Sequence, residues 1–313
     1  MRGSVVLTMA ALAGAVLFWG VSFVWTKIVL AELDPFVLVF IRFSVATLLF
    51  LAVLMATGRG LPRLRLREHV HMALLALLQP FAYFLCETLG LMHTSASKAS
   101  LIVTSIPAAV LLLSVLFLKE RATSLKVLSV ILSAAGVVLL VMGARDFTWD
   151  LDGGLLGDLL MLGAVAAAAG YMVLARGLGR KHSALEITFL QMAYGSVLFL
   201  PFFLWRAPGF SFGSVSKEAW TCVALLTVLC SFGAFLCYNF ALSRVEASRA
   251  SVAINCVPVV TVLTAWIVLG ERLTLWQAMG GAVVLVAVLL PNVRPAGAMR
   301  TMRRLRRAAE AEA

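Results

Sequence analysis

Long apolar runs follow one another along almost the whole sequence, and they constrain the fold more than any other feature. A helix needs about 20 apolar residues to cross the hydrocarbon core of a bilayer. The sequence contains ten runs of about this length, at 5–29, 36–56, 70–91, 98–118, 125–144, 155–176, 185–205, 219–242, 249–269 and 275–291. The connections between them are too short to hold a soluble domain. The sequence therefore predicts an all-α membrane protein with ten transmembrane helices.

The composition excludes several classes of protein. Hydrophobic residues make up 62% of the chain and charged residues 13%, against about 45–50% and about 25% in soluble domains. A soluble enzyme, a secreted domain and a nucleic-acid-binding protein are excluded, although the net charge is +11. The five cysteines lie inside apolar runs and predict neither disulfides nor a metal site. We expect His69 and His71 in an arginine-rich loop.

The distribution of lysine and arginine predicts the orientation in the membrane. If the N-terminus is cytoplasmic, 19 of these residues fall in cytoplasmic segments and six, including Lys27 and Lys98, fall on the other side. Arg42 is the one that lies well inside a span. Because cytoplasmic loops carry the excess of positive charge, we predict that both termini are cytoplasmic and that the membrane is the cell (inner) membrane.

The second half of the chain repeats the first. With a constant offset of 151, residues 84–123 match residues 235–274 with 14 identities in 40 positions. We predict two five-helix repeats, 1–144 and 155–291, followed by a basic cytoplasmic tail, 292–313. Five is an odd number, so the two repeats enter the membrane in opposite senses. Inverted repeats are common in secondary transporters, where they form two equivalent gates around a central site.

Several motifs resemble those of the drug/metabolite transporter superfamily, and specifically its EamA family. These are Phe18–Phe23 (FWGVSF) and Phe40–Phe43 (FIRF), the segment Tyr83–Ile102, and the paired features of the second half around Glu246–Ala250 and Gly270–Arg272. The resemblance covers about residues 5–291. It implies ten helices in two units and the transport of a metabolite, without specifying which one. The second half departs from the pattern at Ala169, which stands opposite Trp19.

Ionisable groups inside a membrane span are costly and are candidates for function, and two of them, Arg42 and Glu87, stand out in this sequence. Arg42 is about 9 Å and Glu87 about 6 Å from the outer ends of their spans, at 1.5 Å per residue. These similar depths make an ion pair feasible. Neither residue has an ionisable counterpart in the second repeat, where Met192 and Tyr238 occupy the equivalent positions. The pair could take part in substrate binding or coupling, or it could join two helices structurally.

Uncharged polar and aromatic residues within the spans extend the candidate site. Trp19 and Ser22 share one face of the first helix, and Gln79, Tyr83 and Glu87 share one face of the third, because of their helical spacing. Contacts with substrate and hydrogen bonds between helices are both compatible with these positions. The remaining candidates are Tyr171, Tyr238, Asn239 and Asn255.

Two prolines occupy equivalent positions in the fourth and ninth spans. Pro107 and Pro258 each remove a backbone donor inside a span, which predicts a kink that acts as a hinge or gate, or else a static kink. Glu120–Arg121 and Glu271–Arg272 end the same two spans. We expect them to tether the turn into the following helix.

These features predict a secondary transporter that works by alternating access. The mixture of aromatic residues with one acid and one base suits a small zwitterionic or cationic metabolite such as an amino acid, and the resemblance implies efflux. The expected partners are this substrate, the lipid bilayer and a proton as coupling ion; no nucleic acid, metal or cofactor is expected. The sequence has no catalytic cluster, so we expect no enzymatic activity. A channel-like facilitator and a non-catalytic membrane scaffold are the alternatives.

Overall fold

The computed structural model describes residues 2–58, 60–62, 64–118, 123–144, 149, 154–175, 183–242 and 255–290. Within these residues the chain forms ten apolar helical units, which confirms the predicted all-α membrane fold. Eight are long and apolar enough to cross a membrane, and the last two are shorter. The uninterrupted helices are α1 (Arg2–Leu30), α2 (Pro35–Ala56), α5 (Ser124–Met142), α6 (Gly154–Ala175), α7 (Ala184–Arg206), α9 (Val257–Leu269) and α10 (Leu275–Leu289). The predicted tail, 292–313, lies outside the described residues.

Three units are interrupted. Helix α3 consists of Leu66–Ala76, a π-helical segment Leu77–Ala82 and Tyr83–His93. Helix α4 consists of Ala96–Val103 and Ile106–Leu118, and α8 of Lys217–Leu225, a π-helical segment Leu226–Ala234 and Phe235–Leu242. Inside α3, Gln79 has extended backbone angles (φ −144°, ψ 114°). It precedes Pro80, and the residue before a proline is disfavoured in the helical region.

The two prolines are placed differently from what the sequence predicts. Pro107 is the second residue of the helix that follows the Thr104–Ser105 turn, and Pro258 is the second residue of α9, after the turn at Asn255 and Cys256. The first N–H groups of a helix have no partner within it, so proline is tolerated there. Each proline therefore stands at the start of a helical segment, directly after a turn, and not in the middle of one. Both turns occupy equivalent positions in the repeat.

Polar residues begin the helices by accepting hydrogen bonds from the first free N–H groups. Their side-chain oxygens do this at Asp34, Ser95, Thr123, Ser183, Ser216 and Thr274. At the start of α8, Glu32 from the α1–α2 turn accepts hydrogen bonds from the backbone N–H (2.6 Å) and hydroxyl (2.8 Å) of Ser216. The hydrogen bonds from Ser216 lower the pKa of Glu32 below its ordinary value, so they favour its charged carboxylate form.

The first helical segment of α3 begins earlier than expected. It starts at Leu66, so His69 and His71 lie in its first two turns and not in a loop. The Glu68 carboxylate caps the start of this helix by accepting a hydrogen bond from the Arg65 N–H at 2.9 Å. His69 Nδ1 lies 2.7 Å from the Tyr194 hydroxyl on α7.

The packing of the helices follows the repeat. Helix α2 packs on α7, and α5 on α10. Helices α3 and α4 pack on α6, while α8 and α9 pack on α1. Exchanging each helix of the first repeat for its counterpart in the second reproduces the same set of pairs. We call α3, α4 and α6 the first bundle and α1, α8 and α9 the second bundle. The end of the molecule at which α1 finishes is called the Lys27 face.

Small residues allow two of these pairs to approach closely, as is common between membrane helices. A Cβ atom on Gly136 of α5 would lie 2.9 Å from the Gly280 carbonyl oxygen of α10, and the Ser129 hydroxyl donates to the Ala287 carbonyl at 2.7 Å. Between α1 and α9, the Thr261 hydroxyl donates to the Gly20 carbonyl at 2.7 Å. These contacts leave no room for larger side chains.

Gly20→Ala is expected to lower the free energy of unfolding by about 1–3 kcal/mol, the usual cost of overpacking. A Cβ atom there would lie 2.5 Å from Val260 Cβ, on the facing helix. Gly170 occupies the equivalent position in α6, and a Cβ atom would meet Leu78 at an ordinary 3.4 Å. Gly170→Ala is therefore the matched control, with little or no loss. Thermal unfolding in detergent measures both, and equal shifts would contradict the packing argument.

Candidate functional site

Arg42 and Glu87 are buried in the interior of the helical assembly. They are 4% and 7% exposed. The Tyr83 hydroxyl, one helical turn before Glu87, donates to its carboxylate at 3.2 Å. Arg42 Nε donates to the Ser231 hydroxyl of α8 at 3.4 Å, and its guanidinium carbon lies 5.4 Å from the centre of the Phe84 ring.

The two charges interact electrostatically but do not form a direct ion pair. Within the described residues, the guanidinium makes its only hydrogen bond through Nε. An arginine side chain has five N–H donors, and a carboxylate accepts several hydrogen bonds. Both groups therefore keep hydrogen-bonding capacity for a further partner, in surroundings where a charge without a partner is costly.

Aromatic side chains from three helices form a second group of candidate residues. The Trp19 ring lies 5.2 Å, centre to centre, from both Phe235 and Tyr238 of α8. Tyr171 of α6 is close enough to Tyr238 for an electrostatic interaction between the two. Gln191 of α7, which the sequence analysis missed, donates its amide N–H to the Tyr171 hydroxyl at 2.6 Å.

Helix α8 joins the charged and the aromatic groups. Ser231 binds Arg42, whereas Phe235 and Tyr238, four and seven residues further along the chain, pack on Trp19. At about 1.5 Å per residue, this stretch of helix is about 10 Å long. Helix α8 thus connects the charged group, Arg42, Glu87 and Tyr83, with the aromatic group, Trp19, Tyr238 and Tyr171, and the two groups together form the candidate region.

The other predicted residues are less directly connected to this region. The Ser22 hydroxyl donates to the Trp19 carbonyl of its own helix at 2.7 Å. Gln79 lies half-buried at the interruption of α3, and Asn255 lies half-buried in the turn before α9. Asn239 is in α8, but its side chain lies outside the described residues. Pro107 and Pro258 begin helices, as described above.

A second buried polar cluster, at the Lys27 face, includes residues that the sequence analysis did not identify as intramembrane. The sequence predicts Lys98 at the edge of the membrane, but its side chain is buried in α4, 5% exposed, and pairs with Asp158 of α6 at 2.5 Å. Asp158 is 1% exposed and also accepts a hydrogen bond from the Thr94 hydroxyl at 2.9 Å. Asp158 is the only carboxylate in the run 155–176, which was a signal that could have identified it.

Two more charged residues reach the α3–α4 turn from the second bundle. Lys27 Nζ donates to the carbonyl oxygens of Leu91, at 3.4 Å, and Thr94. The Glu271 carboxylate accepts hydrogen bonds from the N–H groups of Ala96 and Ser97, both at 2.9 Å. Glu271 therefore contacts the start of α4, whereas its position in the sequence predicts a contact with the turn before α10. Glu120 and Arg121 lie outside the described residues.

No group of three or more His, Cys, Asp or Glu side chains in the described part of the chain is arranged to hold a metal ion. The side chains of the candidate site suit reversible binding of a small charged molecule. They offer one cation, one anion and aromatic surfaces.

Comparison with known proteins agrees with this architecture. The family model described as the EamA-like transporter family matches residues 6–142 and 155–293. An uncharacterized transporter of Archaeoglobus fulgidus is 32% identical over 286 residues, which cover 90% of this chain and 96% of the relative. The uncharacterized transporter YcxC of Bacillus subtilis is 28% identical over 295 residues, which cover 88% of this chain and 89% of YcxC.

One relative has a named substrate class. A probable terminal-alkyne amino-acid exporter of Streptantibioticus cattleyicolor is 27% identical over 293 residues, covering 93% of this chain and 95% of that protein. Among solved structures, one crystal structure matches with a TM-score of 0.65 at 18% identity and covers 97% of this chain and 99% of the other. At that identity the match shows the fold alone.

Proposed function

This chain belongs to the EamA-like transporter family, and on that premise we propose that it is a secondary transporter that exports an amino acid or a similar small zwitterionic or cationic metabolite. That it is a multi-pass membrane transporter follows from the family and from the transporter relatives. The substrate class, the direction and the mechanism are the proposal.

The observation that carries the substrate class is a buried cation and a buried anion that do not neutralise each other directly. Arg42 offers a planar set of donors that suits a carboxylate, and Glu87 offers an acceptor for an ammonium group. Hydrogen bonds to charged groups are stronger than neutral ones. An amino acid would supply both missing charges at once, so its binding would remove the cost of holding them apart from water.

The aromatic group contributes to the same selectivity. Trp19, Tyr171 and Tyr238 provide apolar ring faces for the rest of the substrate, and an aromatic face also attracts an ammonium group. The Streptantibioticus cattleyicolor relative is named as an amino-acid exporter, which supports both the substrate class and outward transport. Glu87 is the candidate residue for carrying a coupling proton.

The symmetry of the packing supports a mechanism of alternating access. The first and second bundles are exchanged by the repeat, and the charged and aromatic residues come from helices of both bundles together with α2. A rocking of one bundle against the other would open one face of this region and close the opposite face. The turns before Pro107 and Pro258 are the proposed hinges, because they interrupt α4 and precede α9 at equivalent positions.

We place the protein in the cell membrane with both termini cytoplasmic and the Lys27 face outside, because of the bias of lysine and arginine. An impermeant thiol reagent added to intact cells should label Trp149→Cys, which lies on the Lys27 side, and should not label Arg65→Cys. The reverse pattern would invert the orientation.

A strain that lacks the protein should accumulate the substrate. We expect a higher intracellular level of one amino acid, or greater sensitivity to a toxic analogue of it, with reversal by the wild-type gene and not by the Arg42→Gln variant. Measurement of intracellular amino acids during growth on dipeptides tests this. If no amino acid or analogue distinguishes the strains, the proposed substrate class is wrong.

A further inference from the structure

The turn between α3 and α4 at the Lys27 face is held from both bundles. On the side of the first bundle, Asp158 of α6 binds the Thr94 hydroxyl and pairs with Lys98. On the side of the second bundle, Lys27 of α1 and Glu271, just after α9, bind its backbone. The contacts of Lys27 and Glu271 therefore cross from one bundle to the other.

The signs of these two charges match the helix ends that they contact. Helix α3 ends at His93, and Lys27 binds the carbonyl oxygens of Leu91 and Thr94 near this end. Helix α4 begins at Ala96, and Glu271 accepts from its first two N–H groups. Carbonyls at a helix end favour a cation, and N–H groups at a helix start favour an anion. Each contact also satisfies backbone groups that have no partner within their helices.

An apolar layer lies beneath this turn. Phe23 and Val24 of α1 belong to one buried cluster with Leu91 of α3 and with Ala96 and Ala99 of α4. The two bundles are thus in contact just below the charged residues, and the Lys27 face is closed in this structure.

We propose that Lys27 and Glu271 form a latch that keeps the Lys27 face closed, and that both must release the Thr94–Ser97 turn before the substrate site can open there. The proposal deepens the proposed function, because opening this face is one half of alternating access. Gly177 occupies the position equivalent to Lys27 in the second repeat. The sequence therefore does not repeat the lysine at the equivalent position, and the proposed latch belongs to the Lys27 face.

The test measures opening without requiring transport. In a chain without its five native cysteines, Ala99→Cys serves as a reporter in the apolar layer. An impermeant maleimide is added to vesicles on the side at which Trp149→Cys reacts. We expect the maleimide to label Ala99→Cys slowly when Lys27 and Glu271 are both present. Introducing Lys27→Met or Glu271→Gln should make this labelling at least about tenfold faster.

Two controls distinguish opening of the Lys27 face from a general loosening of the helix packing. Thr261→Val removes a hydrogen bond between α1 and α9, both in the second bundle, so labelling at Ala99→Cys should stay slow. Ala46→Cys reports from the buried contact of α2 with α7, and the latch variants should not accelerate its labelling. Unchanged labelling at Ala99→Cys, or equal acceleration at Ala46→Cys, would overturn the latch. Failure to transport any amino acid would leave these rates unaffected and would count only against the proposed function.

Discussion

Glu87→Gln is expected to lower the transport rate about ten- to a hundredfold while the chain remains folded and inserted in the membrane. Glutamine keeps the shape of the side chain and its hydrogen bond from Tyr83, which is 3.2 Å from the carboxylate, but it removes the charge that would bind a substrate ammonium group. A hydrogen bond to a charged group contributes about 1.5–3 kcal/mol, and each 1.4 kcal/mol corresponds to about a factor of ten. Uptake of labelled amino acid into proteoliposomes measures this effect.

The companion variants separate transport from structure. If Arg42 and Glu87 served only to stabilise each other, Glu87→Gln would lower the thermal stability, and adding Arg42→Gln would partly restore it. Because the two groups are not directly paired, we expect the double variant to stay inactive. Tyr83→Phe, which removes one hydrogen bond and no charge, should have a smaller effect. Wild-type transport by Glu87→Gln, with the same dependence on pH, would show that Glu87 is a packing residue.

Lys98→Met is expected to cause the largest loss of stability, about 3–5 kcal/mol, because it leaves the Asp158 carboxylate buried without its cation. Asp158 is 1% exposed, and its remaining hydrogen bond comes from Thr94. Adding Asp158→Asn to Lys98→Met removes the buried charge and should recover a substantial part of the loss. Thermal unfolding in detergent, with the yield of folded protein, measures each variant.

A matched control is available in the second ion pair of the described residues. Arg206 Nε lies 3.4 Å from Asp34 Oδ2, and the Arg206 side chain is 47% exposed. Ion pairs of this kind contribute about 0–1 kcal/mol, so Arg206→Met should have a small effect. Equal destabilisation by Lys98→Met and Arg206→Met would contradict the importance of burial for the Lys98–Asp158 pair.

The number and type of helices could be predicted because length and apolar character alone determine whether a segment crosses a membrane. The interruptions could be predicted less well. Pro107 and Pro258 mark the positions along the chain at which α4 is interrupted and α9 begins. The sequence does not distinguish a kinked helix from the start of a new one. The break at Gln79 follows from the local effect of Pro80, because the residue before a proline is disfavoured in the helical region.

The contacts of the charged residues depend on tertiary packing, which local pattern does not determine. Similar depths for Arg42 and Glu87 suggested a pair, but depth does not give the direction of a side chain around its helix. Lys98 was expected outside the spans because it stands at the first position of its apolar run. Glu271 was assigned to the next helix, whereas its carboxylate reaches the start of α4, 175 residues away along the chain. Contacts between residues so far apart along the chain can be identified only from the three-dimensional structure.

Counterflow tests the central claim, alternating access to a site that binds an amino acid, most directly. Proteoliposomes are loaded with a high concentration of an unlabelled amino acid and diluted into a trace of the same labelled compound. A carrier exchanges one for the other, so we predict transient accumulation of label above equilibrium, saturation with concentration, and loss of the overshoot in Glu87→Gln and Arg42→Gln. Flux of label without an overshoot would indicate a channel-like facilitator, and the absence of flux for every amino acid would contradict the proposed function.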